Sequence, residues 1–388
     1  MAGNDNILVV IFLRGGCDGL NLLAPSADDI YRTERRPDAR VERDGDNPGL
    51  ALKNTLADLD FRLHFKAQGL KDLYDNGQLA FIHAAGLTNG TRSHFDAQDY
   101  MERGTPDNKS TSSGWLARLA AAQYIDGTLS AISLQNNIPV SLLACPQAIA
   151  VPNVRKLQIA GDGHFTAARA ALLAQSYEGA TRVQQNGQHI LAMLQSFQPH
   201  LAVDAKGKPV DYTPLPTAQY PDNPRELADQ LKTLAQIIKM DVGVRLATID
   251  YGGWDTHVSQ GGRFPNLVDG LSRSLMAFWN DMAGRQDRVT IVAMSEFGRR
   301  LKSNDSGGTD HGHGGVMFAM GAGVKGGNIY GRWPGLKTEE LDNQVDLAVT
   351  TDFRTVLSEI MASRLAVASP SLVFPQFSGY APLGLMQA

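Results

Sequence analysis

Cysteine is almost missing from this chain: Cys17 and Cys145 are the two among 388 residues. That excludes a disulfide framework and a thiolate zinc cluster, and leaves the redox compartment open. Excess charge of either sign is lacking too. Lys and Arg number 36 against 40 Asp and Glu, a net charge of -4, so no basic surface points to nucleic acid. Nor is there an apolar run long enough to span a bilayer; the best, Ile7 to Leu13, has the length of a strand. The opening Met1-Ala2-Gly3-Asn4-Asp5-Asn6 has neither the basic nor the apolar part of a signal peptide. The expectation is a cytoplasmic protein, unless an export signal has been removed ahead of this sequence. Internal repeats and low-complexity tracts are absent.

What is present is ordinary globular material, 43% hydrophobic and 20% charged, ample for a large core. Short apolar runs recur at Ile7–Leu13, Leu79–Ala84, Ala131–Leu134, Leu246–Asp250, Val289–Met294 and Val316–Met320. They lack clean alternation, which predicts parallel strands covered on both faces. Helical patterns lie between them. One covers Phe165 to Phe197. Another opens with a cap at Asn223, Pro224 in the first turn and Glu226 completing a capping box, and runs to about Met240. Its buried stripe is Leu227, Leu231, Leu234 and Ile238. Such alternation predicts a three-layer α/β/α sandwich with a mainly parallel sheet, read as one domain over residues 1–388. The proline-rich segment Pro199 to Pro224 reads as a surface excursion, and Asp38 to Gly49 as a second exposed loop.

Polar residues gather at four strand ends, where open α/β sheets bind ligands. After the first strand comes Arg14-Gly15-Gly16-Cys17-Asp18-Gly19-Leu20-Asn21. Its glycines permit a tight turn exposing Asp18, which is equally readable as a metal ligand or as a turn cap. Thr91-Arg92-Ser93-His94-Phe95-Asp96 puts Ser93 at a helix start, the place for a helix cap or for a nucleophile beside a metal. Asp255 and His257 follow the strand ending at Asp250, and an O/N donor pair suits zinc or manganese better than calcium. Finally Ser295-Glu296-Phe297-Gly298-Arg299-Arg300 precedes a glycine-dense block with Asp310, His311 and His313. Glycines allow close backbone approach to a metal or oxyanion, and an arginine there clamps an anion or lies on the surface. His64, His83, His164, His189 and His200 lack such company and read as packing or surface residues.

Taken in order, these motifs resemble the "domain of unknown function 1501" proteins, a bacterial family in the alkaline-phosphatase-like superfamily. The likeness includes Arg14-Gly15-Gly16, Asp18-Gly19-Leu20-Asn21, Ser93-His94-Phe95, Gly114-Trp115-Leu116 and Asp255-Thr256-His257 with Gln260. It continues through Ser295-Glu296-Phe297-Gly298-Arg299, Gly308-Thr309-Asp310-His311-Gly312 and Thr351-Asp352-Phe353-Arg354. The resemblance implies one or two divalent ions (Zn, Mn, Mg or Ca) held by Asp18, Asp255, His257, Glu296, Asp310 and His311, with His313 as a local extra. Ser93 matches the nucleophile. Where the superfamily has an aspartate followed by a ligand histidine, this chain has Glu296-Phe297, and His94 or Asp310 is the expected substitute. Usual members carry twin-arginine export signals, which implies a periplasmic or secreted home.

The expected activity is metal-dependent hydrolysis of a small anionic phosphate or sulfate ester, or a related group transfer. Ser93, His94 and Arg299 form the catalytic set, with Arg299 steadying the anion. The alternatives are a non-catalytic binding or scaffold protein with a degenerate metal site, and a metal-dependent hydrolase of non-ester bonds.

Overall fold

The computed structural model describes residues 5–53, 58–127, 129–157, 159, 165–201, 204, 210–222 and 225–387. A nine-stranded sheet divides the molecule. Its strands in chain order are β1 (Ile7–Leu13), β2 (Leu79–Gly86), β3 (Ala131–Ser133), β4 (Ala148–Ala150), β5 (Leu246–Tyr251), β6 (Val289–Met294), β7 (Gly315–Gly321), β8 (Ile329–Tyr330) and β9 (Thr351–Asp352). Across the sheet they lie in the order β8-β2-β7-β6-β1-β5-β3-β4, with β9 beside β2. The strand at the middle, β1, runs parallel to both neighbours, with Phe12 level with Asp250 of β5 and with Met294 of β6.

Alternate residues of β1 feed two cores, as a strand covered on both faces requires. Ile7, Val9, Ile11 and Leu13 pack with the helices Gln68–Asp75, Arg225–Lys239 and Gln260–Asp281. Leu8, Val10 and Phe12 pack with His94–Arg103, Trp115–Ala122 and Phe353–Leu365. The fold is therefore the three-layer α/β/α sandwich that the strand–helix alternation predicts. In the helix Arg225–Lys239 the stripe Leu227, Leu231, Leu234 and Ile238 is buried, each side chain worth roughly 1.5–3 kcal/mol of burial. The cap assigned to Asn223 and Pro224 falls outside the described residues, as does His164.

Two expectations need correction. Val316–Met320 was expected among the parallel strands, but β7 runs antiparallel to both β2 and β6. The chain leaves β6 at the carboxyl end of the sheet and forms a hairpin there, Arg299–Ser303 against Thr309–His311. With no crossover helix to carry it back, the next strand starts from the same end and must run the other way. The stretch Phe165 to Phe197 is two helices, Thr166–Ser176 and Arg182–Phe197, parted at Gly179 with φ of 141°. Both cysteines are buried and free, and no helix among the described residues is long and apolar enough to cross a membrane.

Candidate metal centre

The loops that follow β1, β5 and β6 meet above the middle of the sheet because these strands are neighbours. Gly15 makes the meeting possible. Its φ is 119°, and a Cβ there would sit 2.5 Å from the Asp255 amide nitrogen, so only glycine lets the two loops touch. Arg299, 1% exposed, then binds them together. Its guanidinium donates to the carbonyls of Gly16 (2.7 Å), Gly15 (2.5 Å), Thr309 (2.8 Å) and Trp254 (3.2 Å), and to Asp255 Oδ1 (2.5 Å).

Three imidazoles surround the Asp255 carboxylate. His257 Nε2 and His311 Nε2 lie 3.1 and 3.2 Å from Oδ1, and His94 Nε2 lies 3.5 Å from Oδ2. In every ring the other nitrogen faces an acceptor: His257 Nδ1 meets Asp310 Oδ1 at 2.9 Å, His311 Nδ1 the Arg92 carbonyl at 2.8 Å, and His94 Nδ1 Glu296 Oε1 at 2.8 Å. A neutral imidazole with its proton at Nδ1 presents a bare lone pair at Nε2. So three lone pairs and a carboxylate converge, with the Nε2 atoms of His257 and His311 only 2.9 Å apart. The Nε2 of His94 is buried with no hydrogen-bond partner. Lone pairs aimed at one another repel unless they share a cation, and an N3O donor set is that of zinc or a similar divalent ion. Ligand atoms of His94, Asp255 and His311 all fall within 4.8 Å of one another, the one such group among the described residues. The residues present fit a metal.

Electrostatics prepare the set. Burial pushes the Asp255 carboxyl up, but the Arg299 guanidinium more than reverses this and holds it at about 2. Burial lowers His311, keeping that ring neutral, whereas the hydrogen bond to Glu296 raises His94. Glu296 is pushed up by its burial, yet the bonds from His94 and Gln98 bring it below the usual carboxylate range.

Asp255, His257, His311 and His94 thus come together. Other expected site residues stand elsewhere, for physical reasons. Asp18 is fully buried and its carboxylate is consumed: Arg35, equally buried, pairs with both oxygens, and Gln260 Nε2 donates to Oδ2 at 2.6 Å. Glu296 Oε1 already accepts from Gly15 N, His94 and Gln98, and Oε2 accepts from Ser295 Oγ, so it holds a histidine in place of holding a metal. Asp310 likewise orients His257 and is itself fixed by Asn304 Nδ2 at 2.9 Å. His313 faces away from the cluster, between Asp342 Oδ2 (2.7 Å) and the Leu87 carbonyl (2.8 Å). Arg299 is buried and turns its guanidinium to protein oxygens, four carbonyls and the Asp255 carboxylate. Ser93 caps the helix His94–Arg103, its Oγ accepting from Asp96 N at 3.4 Å.

The helix His94–Arg103 brings the imidazole of His94 to Glu296. Phe297 packs against both the His94 and His311 rings, 4.9 and 4.8 Å from their centroids, which meet edge to face at 4.3 Å. Sequence reasoning missed Gln98, Arg35, Asn304 and Asp346. Gln98 had a signal, since it stands four residues after His94 on one helix face and both reach Glu296. Arg35, which pairs with Asp18, and Asp346, which pairs with Arg92, had none, because no helical or strand periodicity links either pair.

Comparison with known proteins follows this geometry. No curated protein matches the sequence. Several solved structures align with this chain at low similarity. The C-terminal periplasmic domain of EcEptC from Escherichia coli, in complex with Zn, aligns with TM-score 0.37 and 8% identity over 83% of this chain and 74% of that one. Alkaline phosphatase from the Antarctic bacterium TAB5 gives 0.31 and 10% over 83% and 94%. The PsFucS1 sulfatase from Pseudoalteromonas sp. gives 0.33 and 10% over 100% and 74%. Such distant likeness assigns no chemistry to this chain. A family model does match, across residues 83–361, from β2 to the last long helix and through every histidine of the cluster. By that match the chain belongs to the family described as "protein of unknown function (DUF1501)".

Proposed function

We propose that this protein is a metal-dependent hydrolase in which His94, Asp255, His257 and His311 hold a divalent ion, and that it acts on phosphate or sulfate esters. The observation that carries this reading is the convergence of three Nε2 lone pairs on one carboxylate. A divalent ion bound there supplies Lewis-acid polarisation of the ester and lowers the pKa of an adjacent hydroxyl or water. Glu296 and Asp310 keep His94 and His257 in the tautomer that ligates, the role of carboxylates behind metal-bound imidazoles. Arg299 keeps Asp255 ionised. Ser93 is the nucleophile: it stands between Arg92, whose carbonyl holds His311, and His94. Its hydroxyl also hydrogen-bonds the Asp96 side chain, which Lys109 and that bond hold below the usual carboxylate range.

One observation favours a second reading. Arg14, Arg35, Arg92 and Arg299 are all committed to carboxylates or carbonyls, so no side-chain cation among these four is spare for a doubly charged ester. A hydrolase of a neutral bond needs none.

Metal content of the purified protein, measured beside that of His311→Ala, tests the site, and aryl phosphate, aryl sulfate and aryl ester substrates test the chemistry. Expected are a bound divalent ion lost in the variant and turnover that depends on it. Ser93→Ala is expected to lose turnover while losing only about 1 kcal/mol of stability from the cap. A protein that takes up neither zinc nor manganese overturns the metal reading. Turnover surviving in Ser93→Ala removes Ser93 alone.

A further inference from the structure

A cavity of about 500 Å3 lies between the Asp38–Gly49 loop and the start of the helix Gln260–Asp281, with Asn21 and His64 in its wall. Nothing in the proposed hydrolysis uses it. Its rim is acidic and incompletely paired. Glu42 takes Arg40 Nε at 2.6 Å and Asp38 takes Arg36 Nε at 3.3 Å. Asp44 and Asp46 have no salt bridge among the described residues. Arg40, the one arginine in its wall, spends Nε on Glu42 and Nη1 on the carbonyls of Arg32 and Arg35, so four acids, Asp38, Glu42, Asp44 and Asp46, stand against one guanidinium.

Deeper in, Asn21 is 2% exposed and its Oδ1 has no hydrogen-bond donor. A buried amide oxygen left unpaired costs about 1–3 kcal/mol, so a donor arriving there is worth that much to whatever brings it. His64 does not offset the acids: burial holds it down at about 4, and its Nδ1 accepts from Lys66 N at 3.2 Å. The cavity thus presents acceptors and negative charge, beside the apolar surfaces of Phe65 and Pro265.

Its dimensions reject a bare ion. A water occupies about 30 Å3, and the carboxylates here do not converge as the ligand atoms of His94, Asp255 and His311 do. A donor-rich organic cation matches both features: an ammonium has three donors and no acceptor, and methylenes suit a phenyl ring and a proline. We propose that this cavity binds a flexible alkyl amine with two or three primary or secondary ammonium groups, one of which reaches Asn21 while another pairs with Asp44 and Asp46.

Titration calorimetry of the intact chain with spermidine, and separately with calcium chloride, tests this. Expected is saturable one-site spermidine binding, weakened at least tenfold in an Asp44→Asn/Asp46→Asn double variant and in Asn21→Leu, and unchanged in His311→Ala. The double variant alters exposed side chains, so it carries the test even if the buried Asn21→Leu fails to fold. Three results overturn the proposal: no saturable spermidine binding, binding undiminished in the double variant, or loss of binding in His311→Ala, which would place the amine at the histidine cluster. Calcium binding that the double variant abolishes while spermidine fails to bind would replace the amine by a metal.

Discussion

Asp18 and Asp346 are both buried carboxylates that face an arginine, and neither belongs to the cluster of ligands, yet removing their charges should have different effects. Asp18→Asn leaves Arg35 as an uncompensated charge in the interior, a change that typically costs roughly 3–5 kcal/mol. The denaturation midpoint should fall sharply, while the metal bound per folded molecule stays the same. Metal lost from a folded Asp18→Asn protein would return Asp18 to the ligand set. Asp346, fully buried, engages Arg92 through Nε at 2.9 Å and through Nη2, and the Arg92 carbonyl takes the proton side of His311. Its replacement by Asn frees the backbone that orients a ligand, and metal affinity should drop roughly 10–100-fold, as for other partners behind metal-bound histidines. Competition with a chelator reads this directly. An unchanged affinity would show that the β-hairpin alone fixes His311.

Among the secondary elements, the hairpin Arg299–Ser303/Thr309–His311 governs the site. It carries Asp310 and His311, and it approaches the Thr256–His257 backbone so closely that a Cβ on Gly308 would collide with the Thr256 and His257 carbonyl groups. Gly308→Ala must push the hairpin away and part His311 from His257. Overpacking of this kind costs about 1–3 kcal/mol. Metal affinity is expected to fall further than stability does, a comparison that chelator competition and thermal melting make together. The elements show how much the sequence discloses. β1, β5 and β6 were legible because each is a compact apolar run, and their adjacency makes the polar loops behind them meet. Asp255, His257 and His311 were legible as ligand types at strand ends. The direction of β7 was not, because an apolar strand reads alike both ways and only the hairpin before it decides. Nor did any spacing show Asp18 turning inward to Arg35: the turn motif is the same whether the carboxylate faces an ion or a guanidinium. His94 was a named substitute for the missing imidazole, but Glu296, the residue that holds it, read as a ligand in its own right.

The whole molecule responds to acid through buried histidines outside the site. His83 is held at about 4 by its burial, stacked on Phe61 with centroids 5.5 Å apart. In the unfolded chain it returns to about 6.5. Between those values the unfolded state binds more protons, so stability falls as pH drops from 7 towards 4 and is recovered above about 6.5. His64 acts in the same direction. A series of melting temperatures from pH 7 to 4 should therefore slope downward, and His83→Phe should flatten it. A slope indifferent to that change would assign the acid response to other groups.

The position of β1 has a consequence for how the protein is made. β1 leaves the ribosome long before either neighbour: it pairs on one side with a strand that begins at Leu246 and on the other with one that begins at Val289. At about 5–20 residues per second, it waits many seconds with both edges unpaired. An apolar strand held open for so long is a target for chaperones and a template for aggregation. The last histidine of the cluster, His311, follows both partners in the chain, so a molecule that carries the whole cluster has by then made both neighbours of β1. Metal uptake would thus mark a chain whose β1 is paired on both edges, and nascent chains cut short before Val289 would neither pair that strand fully nor retain an ion.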